Sequence, residues 1–154
     1  MKKVLLDTNL LLLYLVGTCI PTKLDWKRLQ AFDLEDFKVL NRKIANHAHV
    51  TLPNVMTEAS NHFGSGHQEA FGGASYLLTW YMQKTQEVYV PSTAVVTGRD
   101  YVKLGLTDGA IIQRCLMDMV DVWTVDHDLY GILTSRGVVV HNLWHEKTPK
   151  TQRK

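Results

Sequence analysis

Cysteine is scarce in this 154-residue chain. The two present, Cys19 and Cys115, lie in apolar surroundings and form no CxxC pair. A disulfide framework and zinc-finger spacing are thereby excluded, and free thiols in a reducing compartment are the simpler reading. A long hydrophobic run is also missing. Met1-Lys2-Lys3 and the apolar residues after it open like a signal peptide, but Asp7-Thr8-Asn9 interrupts them. The unbroken run Leu10 to Val16 falls far short of the roughly 20 residues a membrane span needs, so no membrane is expected and the chain reads as cytoplasmic. There is no internal repeat. Nor does the body of the chain carry a basic excess: residues 1–146 hold all 15 acidic residues but 13 of the 17 basic ones, a balance of −2. Gripping nucleic acid by bulk charge is therefore excluded, and any attraction for phosphate must come from local patches, the C-terminal residues or a bound cation.

What is there suits one globular domain. Hydrophobic residues make up 45% and charged residues 21%, and a chain of this length buries about 70% of its unfolded surface. Val4–Leu6 is a short apolar run of the kind found in a strand covered on both faces, and a helix signal follows from Thr8 to about Gly17. Residues 25–46 are expected to form a helical hairpin, with Asp25 and Asp33 as N-caps and Leu29, Phe32, Phe37, Leu40 and Ile44 buried. Val50–Leu52 is expected as a strand, followed by a helix that Pro53-Asn54 opens and that carries Glu58. Gly64, Gly66, Gly72 and Gly73 mark a flexible loop. A helix is expected over 74–88, with Leu77, Trp80, Tyr81 and a snorkelling Lys84 on one stripe.

A strand over Val88–Val90 and a helix over 93–103 come next. Thr107 is expected to cap a helix running to Met119, Val122–Val125 to form a strand, Asp128–Arg136 a helix closed by Gly137, and Val138–Val140 the last strand. Strands alternating with helices predict a three-layer α/β/α domain with a mainly parallel sheet of four to five strands over residues 1–144. Residues 145–154 read as a basic, flexible tail.

In open α/β sheets, ligands bind beyond the carboxyl ends of the strands. Asp7 and Asp126 both stand at such ends, Asp108 opens a helix after a Gly-Leu-Thr turn, and Glu58 lies early in the helix after the second strand. Each has a plain structural reading: Asp7 and Asp126 as N-caps, Asp108 as a complement to a helix dipole, Glu58 as a solvated side chain. Four carboxylates on one rim, however, would repel one another without a cation. An oxygen-only ligand set suits Mg²⁺ or Mn²⁺ rather than zinc.

The order and context of these residues resemble the PIN domain family. Leu5-Leu6-Asp7-Thr8-Asn9 is similar to its opening motif, Val55-Met56-Thr57-Glu58 to its second, Leu106-Thr107-Asp108-Gly109-Ala110 to its third and Thr124-Val125-Asp126-His127-Asp128-Leu129 to its fourth, together spanning roughly residues 3–143. The resemblance implies a metal-dependent endoribonuclease, often the toxin of a bacterial toxin–antitoxin pair, with an RNA substrate, a small antitoxin protein as partner and a homodimeric state. It implies that Asp7, Glu58, Asp108 and Asp126 hold one or two Mg²⁺ or Mn²⁺ ions for in-line attack of water on a phosphodiester, leaving a 5′-phosphate and a 3′-hydroxyl. Thr8, Asn9 and Thr124 match positions that orient the acidic groups. Asp128 either adds a ligand or caps the last helix, the cap being favoured. The third motif departs from the family in having Gly109 where Ala is commoner, at about 1 kcal/mol of helix stability.

Other groups carry weaker signals. His47 and His49 lack a second ligand pair for zinc. His62 lies four residues after Glu58, on the same helical face. Arg99 and Lys103 are candidate RNA contacts, with a solvated basic face as their bland reading. The segment 17–48 could shape access to the site. Two rival functions stand: a phosphotransfer protein using an Asp at a strand end, against which Asp7 lacks a second Asp two residues on, and a non-catalytic PIN-like module that binds RNA or protein without cutting.

Overall fold

The computed structural model describes residues 1–147. Its centre is a five-stranded sheet in which every pairing is parallel, in the order β3-β2-β1-β4-β5. The strands are β1 (Lys3–Leu6), β2 (Ala48–Thr51), β3 (Gln86–Glu87), β4 (Asp121–Thr124) and β5 (Val140–Asn142). Among the described residues eight α-helices flank it as an α/β/α three-layer fold: α1 (Thr8–Cys19), α2 (Leu34–Ile44), α3 (Pro53–Phe63), α4 (Tyr76–Met82), α5 (Ser92–Val96), α6 (Tyr101–Leu104), α7 (Leu106–Met117) and α8 (His127–Ser135). No helix among the described residues is long and apolar enough to cross a membrane. The chain builds outward from β1 to β2 and β3, then returns to the other side of β1 for β4 and β5. That reversal opens a crevice at the carboxyl ends of β1 and β4.

The apolar run that begins at Leu10 is the core helix. Every residue from Leu10 to Gly17 is buried, because α1 packs against α2, α3 and α4 and so has no solvent face. A Cβ at Gly17 would stand 2.2 Å from the ring of Phe37, so glycine is what lets α2 approach α1 so closely.

Several expected boundaries moved. Within 25–46 only α2 is an α-helix. Asp33 caps it in a reciprocal box with Asp36, whereas Lys27–Leu29 is a single 3₁₀ turn entered from Trp26, and Asp25 caps nothing there. Trp26 stacks on Phe63 (5.5 Å) and meets Phe71 edge-on, while Leu29 is buried. Tertiary anchoring thus fixes a stretch too short to nucleate a helix alone. Leu29, Leu40 and Ile44 are buried as expected, and Phe32 and Phe37 partly so. The helix expected over 74–88 is confined to α4, with Leu77 and Tyr81 buried and Lys84 Nζ 3.6 Å above the Trp80 ring.

The strand expected at Val88–Val90 pairs earlier, at Gln86–Glu87. The partner strand β2 ends at Thr51, so after Val88 N donates to Thr51 O the extended chain has nothing left to pair with. Residues 93–103 split into α5 and α6. Thr107 does not cap α7, whose N-cap is Gly105 at φ 86°, a left-handed conformation that favours glycine. Asp126, not Asp128, caps α8. No loss of contacts marks the boundary expected at 144/145. Trp144 stacks on Phe32, Glu146 pairs with Lys43 at 3.1 Å, and Lys147 Nζ is 2.7 Å from Oδ1 of the buried Asp36. The rest of the expected tail, with Lys150, Arg153 and Lys154, lies outside the described residues.

Candidate functional site

Asp7 ends β1 at the crevice and is 6% exposed. Its Oδ1 accepts from Leu10 N (2.9 Å), which caps α1. Its Oδ2 accepts from Thr124 Oγ1 and from Val125 N (3.4 Å). Thr124 Oγ1 also accepts from Asp126 N at 2.9 Å, so one buried hydroxyl ties the ends of β1 and β4 together. Burial raises the Asp7 pKa to about 6 against the pull of these three donors, and the charge of Asp126 adds to the rise. Asp126 is exposed and accepts from Leu129 N at 2.8 Å.

Asp108 is brought to the same place by two glycines. Gly105 makes the turn into α7, and Gly109 lets α5 press against it: a Cβ there would lie 2.6 Å from Cγ1 of the buried Val95. Glycine at position 109 is therefore a packing requirement. The Asp108 pKa is raised to about 7, first by burial and then by the charges of Asp126, Asp7 and Glu58. Glu58 projects from α3, exposed, and its Oε2 accepts from Thr8 Oγ1 at 2.7 Å.

These four carboxylates line one cleft of about 290 Å³ with Thr8, Asn9, Arg28 and His62, walled by residues 104–107. Arg28, which sequence reasoning passed over, donates from its guanidinium to Asn9 Oδ1 at 2.9 Å. It comes from the 3₁₀ turn at Lys27–Leu29, and no local pattern marks a lone arginine there as facing residues 19 and more positions away. Asn9 therefore holds Arg28, whereas the resemblance led us to expect it to hold an acid. His62 joins the cleft as its spacing suggested. Its pKa is lowered by partial burial and the Arg28 charge, with Glu58 opposing.

Other candidates fall elsewhere. Asp128 is exposed, outside the cleft, and pairs with Lys103 at 3.7 Å. Lys103 and Arg99 do not line the cleft either. His47 Nε2 lies 3.6 Å from Asp121, while His49 Nδ1 meets the Tyr81 hydroxyl at 3.1 Å. The two imidazoles have separate partners and make no pair. Burial first, then the charges of Lys84 and His47, lower the His49 pKa to about 4.

A larger cavity, about 380 Å³, opens at the opposite end of the sheet. Its charged side chains are already paired: Asp118 with Lys3 and Arg114, Asp121 with His47, Arg136 with Asp100. Paired charges leave little to attract a ligand, so the smaller cleft is the better candidate.

No family model matches this chain, and no curated protein does. As they stand, no three His, Cys, Asp or Glu side chains among the described residues are gathered closely enough to hold a metal ion between them. The four carboxylates nonetheless face one cleft, and three of them act on the proton affinity of Asp108. The two facts are compatible: without a cation between them, carboxylates that repel one another stand apart. The donor set is all oxygen, and Mg²⁺ commonly takes only one or two carboxylates and keeps several waters. On chemistry the residues fit a hard divalent cation.

Proposed function

We propose that this protein is a PIN-like endoribonuclease, dependent on Mg²⁺ or Mn²⁺, that hydrolyses RNA phosphodiester bonds at the cleft formed by Asp7, Glu58, Asp108 and Asp126. One observation carries the reading: carboxylates from four separated stretches of sequence line one cleft where the sheet's topology reverses, and burial first, then the charges of the other three, raises the Asp108 pKa to about 7. Helix capping accounts for one oxygen each of Asp7 and Asp126. It gives no reason for Glu58 and Asp108 to face them, an arrangement that costs stability unless a cation offsets it.

Glu58, Asp108, Asp126 and the buried Asp7 would hold one or two ions, whose contribution when bound is to supply a nucleophilic water near neutral pH and to neutralise charge on the phosphodiester. Thr8 holds Glu58 by Oε2 and Thr124 holds Asp7 by Oδ2, so the two threonines fix the direction of the carboxylates. Asp108, half protonated near pH 7, would give up that proton as the site fills. Against the phosphotransfer rival, Asp7 lacks a second Asp two residues on. The choice of RNA, a toxin role with a small antitoxin partner, a homodimer and a cytoplasmic setting come from the family resemblance and belong to this proposal.

Incubating the full chain with a mixed RNA pool tests the reading. Cleavage should require added Mg²⁺ or Mn²⁺, stop with EDTA, leave 5′-phosphate ends, and fall by at least about a hundredfold in Asp7→Asn. Absence of cleavage would make the protein a binding module at most, and undiminished cleavage by Asp7→Asn would remove this cleft as the site of cleavage.

A further inference from the structure

Beside the carboxylate cleft, and sharing Glu58, Leu106 and Thr107 with it, runs a second groove of about 360 Å³. Its chemistry is different. Glu58, at the shared border, is its only charged lining residue; beyond it stand Asn54, Thr57, Ser92 and Tyr89. The side chains of Asn54, Thr57 and Ser92 make no hydrogen bond among the described residues, so an amide and two hydroxyls are open to a ligand. Tyr89 is 74% exposed, an unusual place for a ring that size, yet its backbone is firmly set. It follows the extended chain that bonds Thr51 through Val88 N, and precedes the buried Val90 and Pro91, which opens α5. Alternation along this extended stretch buries Val90 and turns Tyr89 outward.

We infer that this groove receives an unpaired base of the strand being cut, stacked on Tyr89, with its edge read by Asn54, Thr57 and Ser92. The inference rests on the nuclease reading above and narrows its substrate to single-stranded RNA. A groove that holds no cationic side chain, carries an exposed aromatic ring and has its one carboxylate at the border suits a base, which is uncharged and has a π-face, rather than a phosphate. Arg28 and His62, the cationic and titratable groups of the carboxylate cleft, are absent from this groove, so phosphate-directed chemistry stays in the cleft. A base in a duplex has both faces stacked and its pairing edge occupied, and cannot enter.

Binding is best read in Asp7→Asn, which removes turnover, using a short fluorescein-labelled RNA of mixed sequence, single-stranded or annealed to its complement. Adding Tyr89→Ala should weaken single-strand binding about tenfold, Tyr89→Phe should hold it within about twofold, and duplex binding should respond to neither. In the otherwise unaltered chain, Tyr89→Ala should raise KM with kcat little changed. If Tyr89→Ala binds the single strand as tightly as its parent while the parent chain cleaves RNA, the groove assignment falls and the nuclease reading stands. A loss in Tyr89→Phe as large as in Tyr89→Ala overturns stacking as the basis. If the unaltered chain neither binds nor cleaves single strands, both readings fall together.

Discussion

The two ends of the sheet treat acidic residues in opposite ways. At the amino ends of the strands each carboxylate has a basic partner: Asp118 lies 3.0 Å from Lys3 and 2.9 Å from Arg114, and Asp121 faces the His47 imidazole. Hydrogen bonds from Lys3 and Met119, with the Lys3 charge, hold the Asp118 pKa below its usual range. At the carboxyl ends Asp7, Glu58, Asp108 and Asp126 share a cleft whose one arginine is engaged with Asn9, and the pKa values of Asp7 and Asp108 rise. A fold able to pair its charges at one edge leaves them unpaired at the other, and that imbalance is what the proposed cation would offset.

The largest effect should separate the two edges by activity. Asp108→Asn is expected to lower RNA cleavage at least about a hundredfold, and Asp118→Asn to change it less than about twofold, in the same ion-dependent assay. Next in size is a contrast between buried carboxylates. Asp7 has no cation to lose, but Asp36 does, so Lys147→Ala should cost about 1–3 kcal/mol by urea unfolding by leaving the Asp36 Oδ1 charge uncompensated. A smaller loss, about 1–2 kcal/mol, is expected for Gly109→Ala, because crowding of Val95 outweighs the gain in helix propensity. Its cleavage rate should fall as well, since Asp108 is the preceding residue. An unchanged melting temperature and rate would remove Gly109 from the account.

The smallest effect has a definite sign. The folded pKa values of Asp7 and Asp108, about 6 and about 7, lie above the reference value of 3.8, so between roughly pH 4 and 7 the folded chain keeps protons that the unfolded chain has released. Their contribution to stability without metal is fullest at the acid end of that window and is lost as pH rises through 6 and 7. His49, held neutral down to about 4, acts in the other direction below pH 6.5. The measurement is therefore the melting difference between parent and Asp108→Asn in EDTA. The variant should gain on its parent from pH 5 to 7.5, and Mn²⁺ should raise the parent's melting temperature at pH 7.5 while moving the variant's less. A difference that is flat with pH would show that Asp108 keeps an ordinary pKa.

Much of the site was legible because each acid sits in a local pattern: Asp7 and Thr124-Val125-Asp126 close apolar strand runs, and Glu58 and Asp108 stand early in helices with clear starts. The parallel sheet was legible from alternation of strands and helices. Arg28 was not, since it reaches Asn9 from a turn set by the packing of Trp26 on Phe63. The position of β3 was set by where β2 runs out of residues, and the cap of α7 by the turn at Gly105 rather than by the hydroxyl of Thr107.

The sequence alone determined the class of fold, the all-oxygen character of the candidate ligands and their place at strand ends and helix starts, because period, capping and charge are properties of neighbouring residues. Only the tertiary structure decided that four carboxylates share one cleft, that Asp128 does not, that a glycine beside Asp108 makes room for Val95, and that Tyr89 overlooks the same edge. Those are relations between segments far apart in the chain, and they exist only once the sheet has set the order β3-β2-β1-β4-β5.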